Sequence, residues 1–266
     1  MTFSRRHFVK SSVSAGVGAG LLGTSALAEQ PAGRDYYELR AYHLRRGPHE
    51  RQMSDYVKDA LVPALRRIGT GPVGVFNVAV GPDSPTLYVL ITHPTADSVA
   101  TLPERLAADD EYRKAGAAVI DAPAESPPYD RIESSLLVAF AGHPRLALPP
   151  QLAAGKGRVF ELRRYESHSE KASATKIGLF NQAEIAIFAK HEMHAVFYSQ
   201  ALVGPRLPNL TYMLAFDDLR DRDTKWSAFG SDPEFRALVA KPELSDAAIV
   251  SSISNVFLRP TAFSQI

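Results

Sequence analysis

Tyr37-Glu38-Leu39-Arg40-Ala41-Tyr42 returns as Phe160-Glu161-Leu162-Arg163-Arg164-Tyr165, 123 residues further along the chain. The same spacing aligns Gly81 with Gly204, Pro85 with Pro208, Leu87 with Leu210, and Glu111-Tyr112-Arg113 with Glu234-Phe235-Arg236. Small gaps bring Val75-Phe76 onto Val196-Phe197 and Ser134-Ser135 onto Ser251-Ser252. One such match would be noise. Matches that keep their order from end to end of both halves describe one module written twice.

Working outward from the hexapeptide, each copy reads the same way. Residues 36–43 alternate apolar and polar as a strand does. Met53, Val57, Leu61, Ala64 and Ile68 then recur at helical spacing, with Pro63 predicting a kink. Two β-rich runs, 73–80 and 86–92, flank a Gly-Pro-Asp-Ser-Pro hairpin loop. Thr95 caps a second helix running to about residue 120, and residues 132–140 form a last strand. The order β-α-β-β-α-β is the ferredoxin-like arrangement. The expected fold is therefore α+β, with tandem ferredoxin-like repeats at 35–141 and 158–266. Residues 142–157, rich in Pro, Gly and Ala, have the composition of a linker. A four-stranded sheet with helices on one face must cover the other. Two copies in one chain can do this for each other, closing sheet against sheet into one intramolecular α/β barrel.

The N-terminus carries a separate message. Ser4-Arg5-Arg6-His7-Phe8-Val9-Lys10 follows the twin-arginine signal pattern, ahead of an apolar run and the A-x-A pattern Ala26-Leu27-Ala28. Residues 1–28 are expected to be a signal peptide, making the mature protein periplasmic or extracellular. The run is too short and too rich in Gly, Ala and Ser for stable membrane insertion. Without Arg5, Arg6 and Lys10, the 30 basic residues become 27 against 29 acidic, a net charge of −2. So small a charge gives no electrostatic footprint for nucleic acid. Zero cysteines exclude thiolate catalysis, iron–sulfur clusters and cysteine zinc sites.

Strand alternation splits each hexapeptide in two. Tyr37, Leu39 and Ala41 are expected to face the helices. Glu38, Arg40 and Tyr42, with Glu161, Arg163 and Tyr165, then point into the space between the sheets. There they form either an ion-pair network that fixes docking or a polar ligand cavity; solvent exposure is the third reading. Glu184 falls in step with Ile177, Phe180 and Phe188 on an apolar helix. It is a candidate buried base that Asn181 could hydrogen-bond, or it pairs with Lys176. His191-Glu192-Met193-His194 is one residue short of the zincin spacing, so no metal site is assigned. Trp226 and Phe229 read as core. No glycine-rich phosphate loop follows a strand, and there is no G-x-S-x-G elbow.

The paired [YF]-E-L-R-x-Y strands, Gly71-Pro72-Val73-Gly74-Val75-Phe76, and Leu207-Pro208-Asn209-Leu210-Thr211-Tyr212-Met213-Leu214 resemble the NIPSNAP family. Lys176–Glu184 is similar to its second-domain helix, and Phe263-Ser264-Gln265-Ile266 to its ending. The resemblance implies the dimeric α/β-barrel fold and brings no settled reaction or cofactor with it. The leading expectation is a binder of a small organic molecule between the two sheets, with metal-free acid–base or oxygenase-like chemistry if it is catalytic. Arg40, Arg163 and Asn181 would orient the ligand, Tyr42 and Tyr165 would donate hydrogen bonds, and Glu38, Glu161 or Glu184 would accept a proton. The alternative is a non-catalytic interaction or scaffold protein with a structural polar interior. Further homo-oligomerisation is open under both.

Overall fold

The computed structural model describes residues 33–266, so the expected signal segment 1–28 lies outside the described residues. In the first half, β1 (Tyr36–His43) leads to α1 (Pro48–Tyr56), a π-helical turn (Val57–Leu61) and α2 (Val62–Arg67). Then come β2 (Val73–Val80), β3 (Thr86–His93), α3 (Ala96–Ala100), α4 (Leu102–Ala107), α5 (Asp110–Ile120) and β4 (Arg131–Ala139). A short α6 (Pro150–Ala153) precedes β5 (Val159–Glu166). The second half continues with α7 (Glu170–Leu179), a π-helical turn (Phe180–Glu184), α8 (Ile185–Lys190), β6 (His194–Val203) and β7 (Asn209–Phe216). It ends with α9 (Leu219–Ser231), α10 (Pro233–Val239), α11 (Asp246–Ile249) and β8 (Ser252–Pro260).

The eight strands of the described residues are all antiparallel to their neighbours and close in the order β1-β3-β2-β8-β5-β7-β6-β4. Within a half, β1 sits between β3 and β4 just as β5 sits between β7 and β8. The halves join where β2 meets β8 and where β4 meets β6. Two matched glycines explain how these seams fit. A Cβ on Gly81 would come within 2.9 Å of Val256, and one on Gly204 within 2.6 Å of Ser135. Each hairpin loop thus lies against a strand of the opposite half, closer than any side chain allows.

Several local expectations change in the structure. The second helix is three helices: Pro103 and the capping side chain of Asp109, which accepts from the Tyr112 N–H, restart it twice. The kink expected at Pro63 appears as the π turn just ahead of it. A π turn also occurs at Phe180–Glu184, where no proline follows, so proline is not its general cause. Strand register pairs Val75 with Val89 and Tyr198 with Tyr212, so the second strand needs no gap; Asn255, not Ser251, is the counterpart of Ser134. The segment 142–157 is tied down along its first part rather than loose. Gly142 donates to Asn181, Arg145 and the Leu146 N–H bond the Asp35 carboxylate, and Ala147 donates to Val196. Gln151, buried within it, adds a further tie through Asp217 at 2.7 Å.

The main correction concerns which face is which. Tyr37, Leu39, Phe76, Phe160, Leu162 and Phe197 pack together inside the barrel, joined by Leu90, Leu137, Met213, Leu258 and Ile266. An eight-stranded barrel is just wide enough for side chains to fill, and apolar ones fill this one. Tyr42 instead packs with Met53, Tyr56 and Leu61 of the first helix layer, and Tyr165 with Phe180 and Phe188 of the second. The Glu-Arg-Tyr sets therefore face the helices, not the space between the sheets. Both sheet faces are buried, so the alternation alone leaves their assignment undetermined. Desolvation decides it: under the helices the two arginine side chains keep 15% and 12% exposure, which a filled barrel would deny them.

Candidate functional site

Three alternate residues on β5 put Glu161, Arg163 and Tyr165 in a row beneath α9. Glu161 has no exposed surface and is saturated with donors. Its Oε1 accepts from Arg163 Nη1 at 2.6 Å, Arg222 Nη2 at 2.8 Å and Asn255 Nδ2 at 2.9 Å. Its Oε2 accepts from Arg222 Nε at 3.0 Å and Trp226 Nε1 at 2.8 Å. Burial raises the proton affinity of this carboxyl, but the hydrogen bonds and charges of Arg222 and Arg163, with Asn255, outweigh it and hold its pKa at about 2. Its five donors make the carboxylate an anchor between β5, β8 and α9. Arg222 and Trp226 lie one turn apart on α9, so the helix is fastened to the sheet through this one side chain. The Arg163 guanidinium lies over the Trp226 ring, 4.5 Å from its centroid, and donates to the Tyr165 hydroxyl at 3.1 Å. Tyr212 donates to the same hydroxyl at 2.9 Å.

The first copy holds a lighter version of this arrangement. Glu38 takes Arg40 Nε at 2.6 Å, Arg40 Nη2 at 2.9 Å and Ser134 Oγ at 2.9 Å, and Arg40 Nη1 reaches Tyr42 at 3.3 Å. His93 is fully buried with Nε2 4.0 Å from Glu38, and burial depresses its pKa to about 4 despite the nearby carboxylate. Among the described residues, Ser98 of α3 bonds His93 Nδ1 at 3.1 Å, but no helix side chain bonds Glu38 as Arg222 and Trp226 bond Glu161.

Glu184 and Asn181 are placed apart from these sets. Glu184, buried in the π turn, accepts from Lys176 Nζ at 2.8 Å, and the same ammonium bonds Asp246 of α11 at 3.0 Å. Burial opposes the charge on Lys176, yet the two carboxylates hold its pKa above the ordinary value. Asn181 does not touch Glu184; it bonds the Ile177 carbonyl and accepts from Gly142, so its work is to tie residues 142–157 to the helix. His191 bonds Asp232 at 2.9 Å and His194 lies exposed on β6. Among the described residues, no three His, Asp or Glu side chains are grouped to hold a metal. No helix of the described residues is long and apolar enough to cross a membrane.

Asn255 goes unread in the sequence and Trp226 reads there as core; Arg222 and Trp226 are the helix members of the site that sequence reading missed. Their spacing of four on one helix was the available signal; nothing in β5 says which helix will cover it. The Arg222 guanidinium also lies 5.5 Å from the Phe257 ring centroid, and Phe257 lines a cleft of about 710 Å³. The cleft runs between the end of β2, the start of β5, β8 and the first turn of α9. Val80, Val159, Leu219 and Pro260 give it apolar walls; Arg158, Arg220 and Arg259 supply cations, and Asp217 and Asp218 lie at the helix start. The charged cluster under α9 and this cleft are therefore adjacent, with Phe257 and Arg222 between them.

The NIPSNAP family model matches residues 37–139 and again residues 160–265. A NIPSNAP family protein from Agrobacterium tumefaciens is 25% identical over 41% of this chain and 98% of its own, with a TM-score of 0.37. A monooxygenase-like protein from Lactobacillus acidophilus superposes over 85% of this chain and 94% of its own at 8% identity, with a TM-score of 0.56. An anthrone oxidase-like protein does so over 86% and 92% at 11% identity, with a TM-score of 0.50. These two are similar to the chain in fold. Sequence comparison with curated proteins finds no match.

Proposed function

The chain belongs to the NIPSNAP family, and we propose that this member is an exported protein that binds a small organic anion with an apolar body. The observation that carries the reading is the cleft beside α9: apolar walls, three arginines, and a volume in the range of small-molecule sites. Phe257 would pack against the ligand, while Arg158, Arg220 and Arg259 would receive its acidic group. Arg222 and Glu161 set the floor by fixing α9. Glu161 accepts five hydrogen bonds, so it is given no proton-transfer role, and the reading is one of binding. The oxygenase names of the two full-length neighbours describe those proteins and supply no residue here.

The two copies, 35–141 and 158–266, are read as tandem ferredoxin-like repeats descended from one module. Residues 1–28 are read as a twin-arginine signal, making the protein periplasmic or extracellular. Replacing Arg5-Arg6 by Lys-Lys should strand the precursor in the cytoplasm; normal export of that variant would count against the signal.

Binding has its own test. Anilinonaphthalenesulfonate, an apolar aromatic anion, should bind the protein and be displaced by aryl or medium-chain carboxylates. Arg220 and Arg259 are exposed, so the double variant Arg220→Glu, Arg259→Glu should fold normally and lose at least tenfold in affinity. Unchanged affinity in that variant would sink the cleft. A parent protein that binds none of these anions would favour the competing reading, a non-catalytic interaction protein, to which the saturated Glu161 network is equally suited.

A further inference from the structure

We propose that one mouth of the barrel is a second binding site, specific for a small oxyanion, with the Arg164 guanidinium as its principal ligand. β1 and β5 lie opposite each other in the closed order and run the same way, so their C-terminal ends share one mouth. A cavity of about 140 Å³ opens there, lined by Ala41 of β1, Tyr88 of β3, Ser135 of β4, Arg164 of β5 and Ser254 of β8. The tips of the two hairpin loops, at Asp83 and Arg206, complete its rim.

Arg164 stands out by what it lacks. Arg40, Arg105, Arg158, Arg163, Arg164 and Arg222 are partly buried, and five of these six make hydrogen bonds within the protein. Arg164 makes no hydrogen bond or ion pair among the described residues, and its Nε is buried without a partner. Burial depresses its pKa and the neighbouring charge of Arg206 adds to the effect. A desolvated guanidinium with unused donors is costly unless something accepts from it. Two carboxylates also line the mouth, Asp83 and Glu133, but neither ion-pairs with Arg164; Glu133 is engaged by Arg131 at 3.2 Å and by His43 at 3.4 Å.

The duplication shows how the space arises. Arg164 occupies the hexapeptide position that Ala41 holds in the first copy. A long cation from one half thus faces a methyl group from the other. The fork of a guanidinium matches two oxygens of one anion, and Tyr88, Ser135 and Ser254 place three hydroxyls on the same cavity. At about 30 Å³ per water-sized group, the cavity takes about four or five non-hydrogen atoms. That is the size of acetate, bicarbonate or phosphate, and far below what the cleft beside α9 holds. Because the lining comes from both halves, an anion here would bind only the closed barrel and stabilise it.

The test is thermal unfolding and titration calorimetry of the protein in sodium acetate or sodium phosphate, against sodium chloride at equal ionic strength. The melting midpoint should rise with acetate, with phosphate, or with both, and saturate at a one-to-one stoichiometry. Acetate alone would identify a planar carboxylate site, phosphate alone a tetrahedral one. Arg164→Met should abolish the response while the chloride midpoint stays the same or rises. Ala41→Asp, which supplies an internal carboxylate to the same cavity, should also abolish it. No response from the parent to either anion, or an undiminished response in Arg164→Met, would overturn the proposal.

Discussion

Glu161 is the residue on which the second half turns, since one carboxylate joins β5, β8 and α9 through five donors. Removing its charge leaves two buried guanidinia short of their counter-ion. Glu161→Gln should therefore destabilise the protein by about 3–5 kcal/mol in urea unfolding, with α9 losing amide protection first. A cost below about 1 kcal/mol would mean that α9 is held by other contacts. The pH dependence follows from the same geometry. The folded pKa of Glu161 lies at about 2 against an ordinary 4.5, so its contribution is complete above pH 4.5 and is lost as pH falls toward 2. His93 acts in an earlier window. Its folded pKa of about 4 against 6.5 means that the unfolded chain takes up the proton first, so stability falls as pH drops from 6.5 to 4. His93→Gln should flatten that first segment of the stability curve and leave the Glu161 segment in place; an unchanged curve between pH 6.5 and 4 would assign the loss elsewhere.

Elements were legible to different degrees, for physical reasons. The strands could be read because period-two alternation and the repeated hexapeptide carry their own register. Helix breaks at Pro103 and Asp109 were missed because an apolar period runs across them, and only the cap geometry shows the restart. The polar face was assigned to the wrong side because Tyr37 and Leu39 are apolar whichever layer they meet. The matched glycines, found only as a coincidence of spacing, gain their reason in the seams. Gly204 sits at φ +145° with its missing Cβ over Ser135, so Gly204→Ala should cost about 1–3 kcal/mol by strain and contact together. Ser135→Gly in the same chain should recover the contact part alone, measured as a double-mutant coupling. A neutral Gly204→Ala would show that the seam yields to admit the methyl group.

At the scale of the molecule, duplication predicts one barrel, and the filled interior explains why neither half is expected to stand alone. Cut free, residues 33–141 would expose Tyr37, Leu39, Phe76, Leu90 and Leu137 on an uncovered sheet face. Produced separately, each half should self-associate; a stable, monodisperse monomer of either would contradict the account. The same interior moves the ligand question outward. Two sheets packed on Phe160, Phe197 and Met213 leave their middle to hydrocarbon, and both proposed sites lie away from it, one beside α9 and one at the mouth. The most direct measurement is a crystal structure of residues 33–266 grown with 4-bromobenzoate, read by the anomalous signal of bromine. One ordered bromine is expected in the cleft near Phe257 and Leu219, with the carboxylate toward Arg158, Arg220 and Arg259. Bromine in the barrel interior, bromine beneath α9 against Arg163, or no ordered site at all would contradict it.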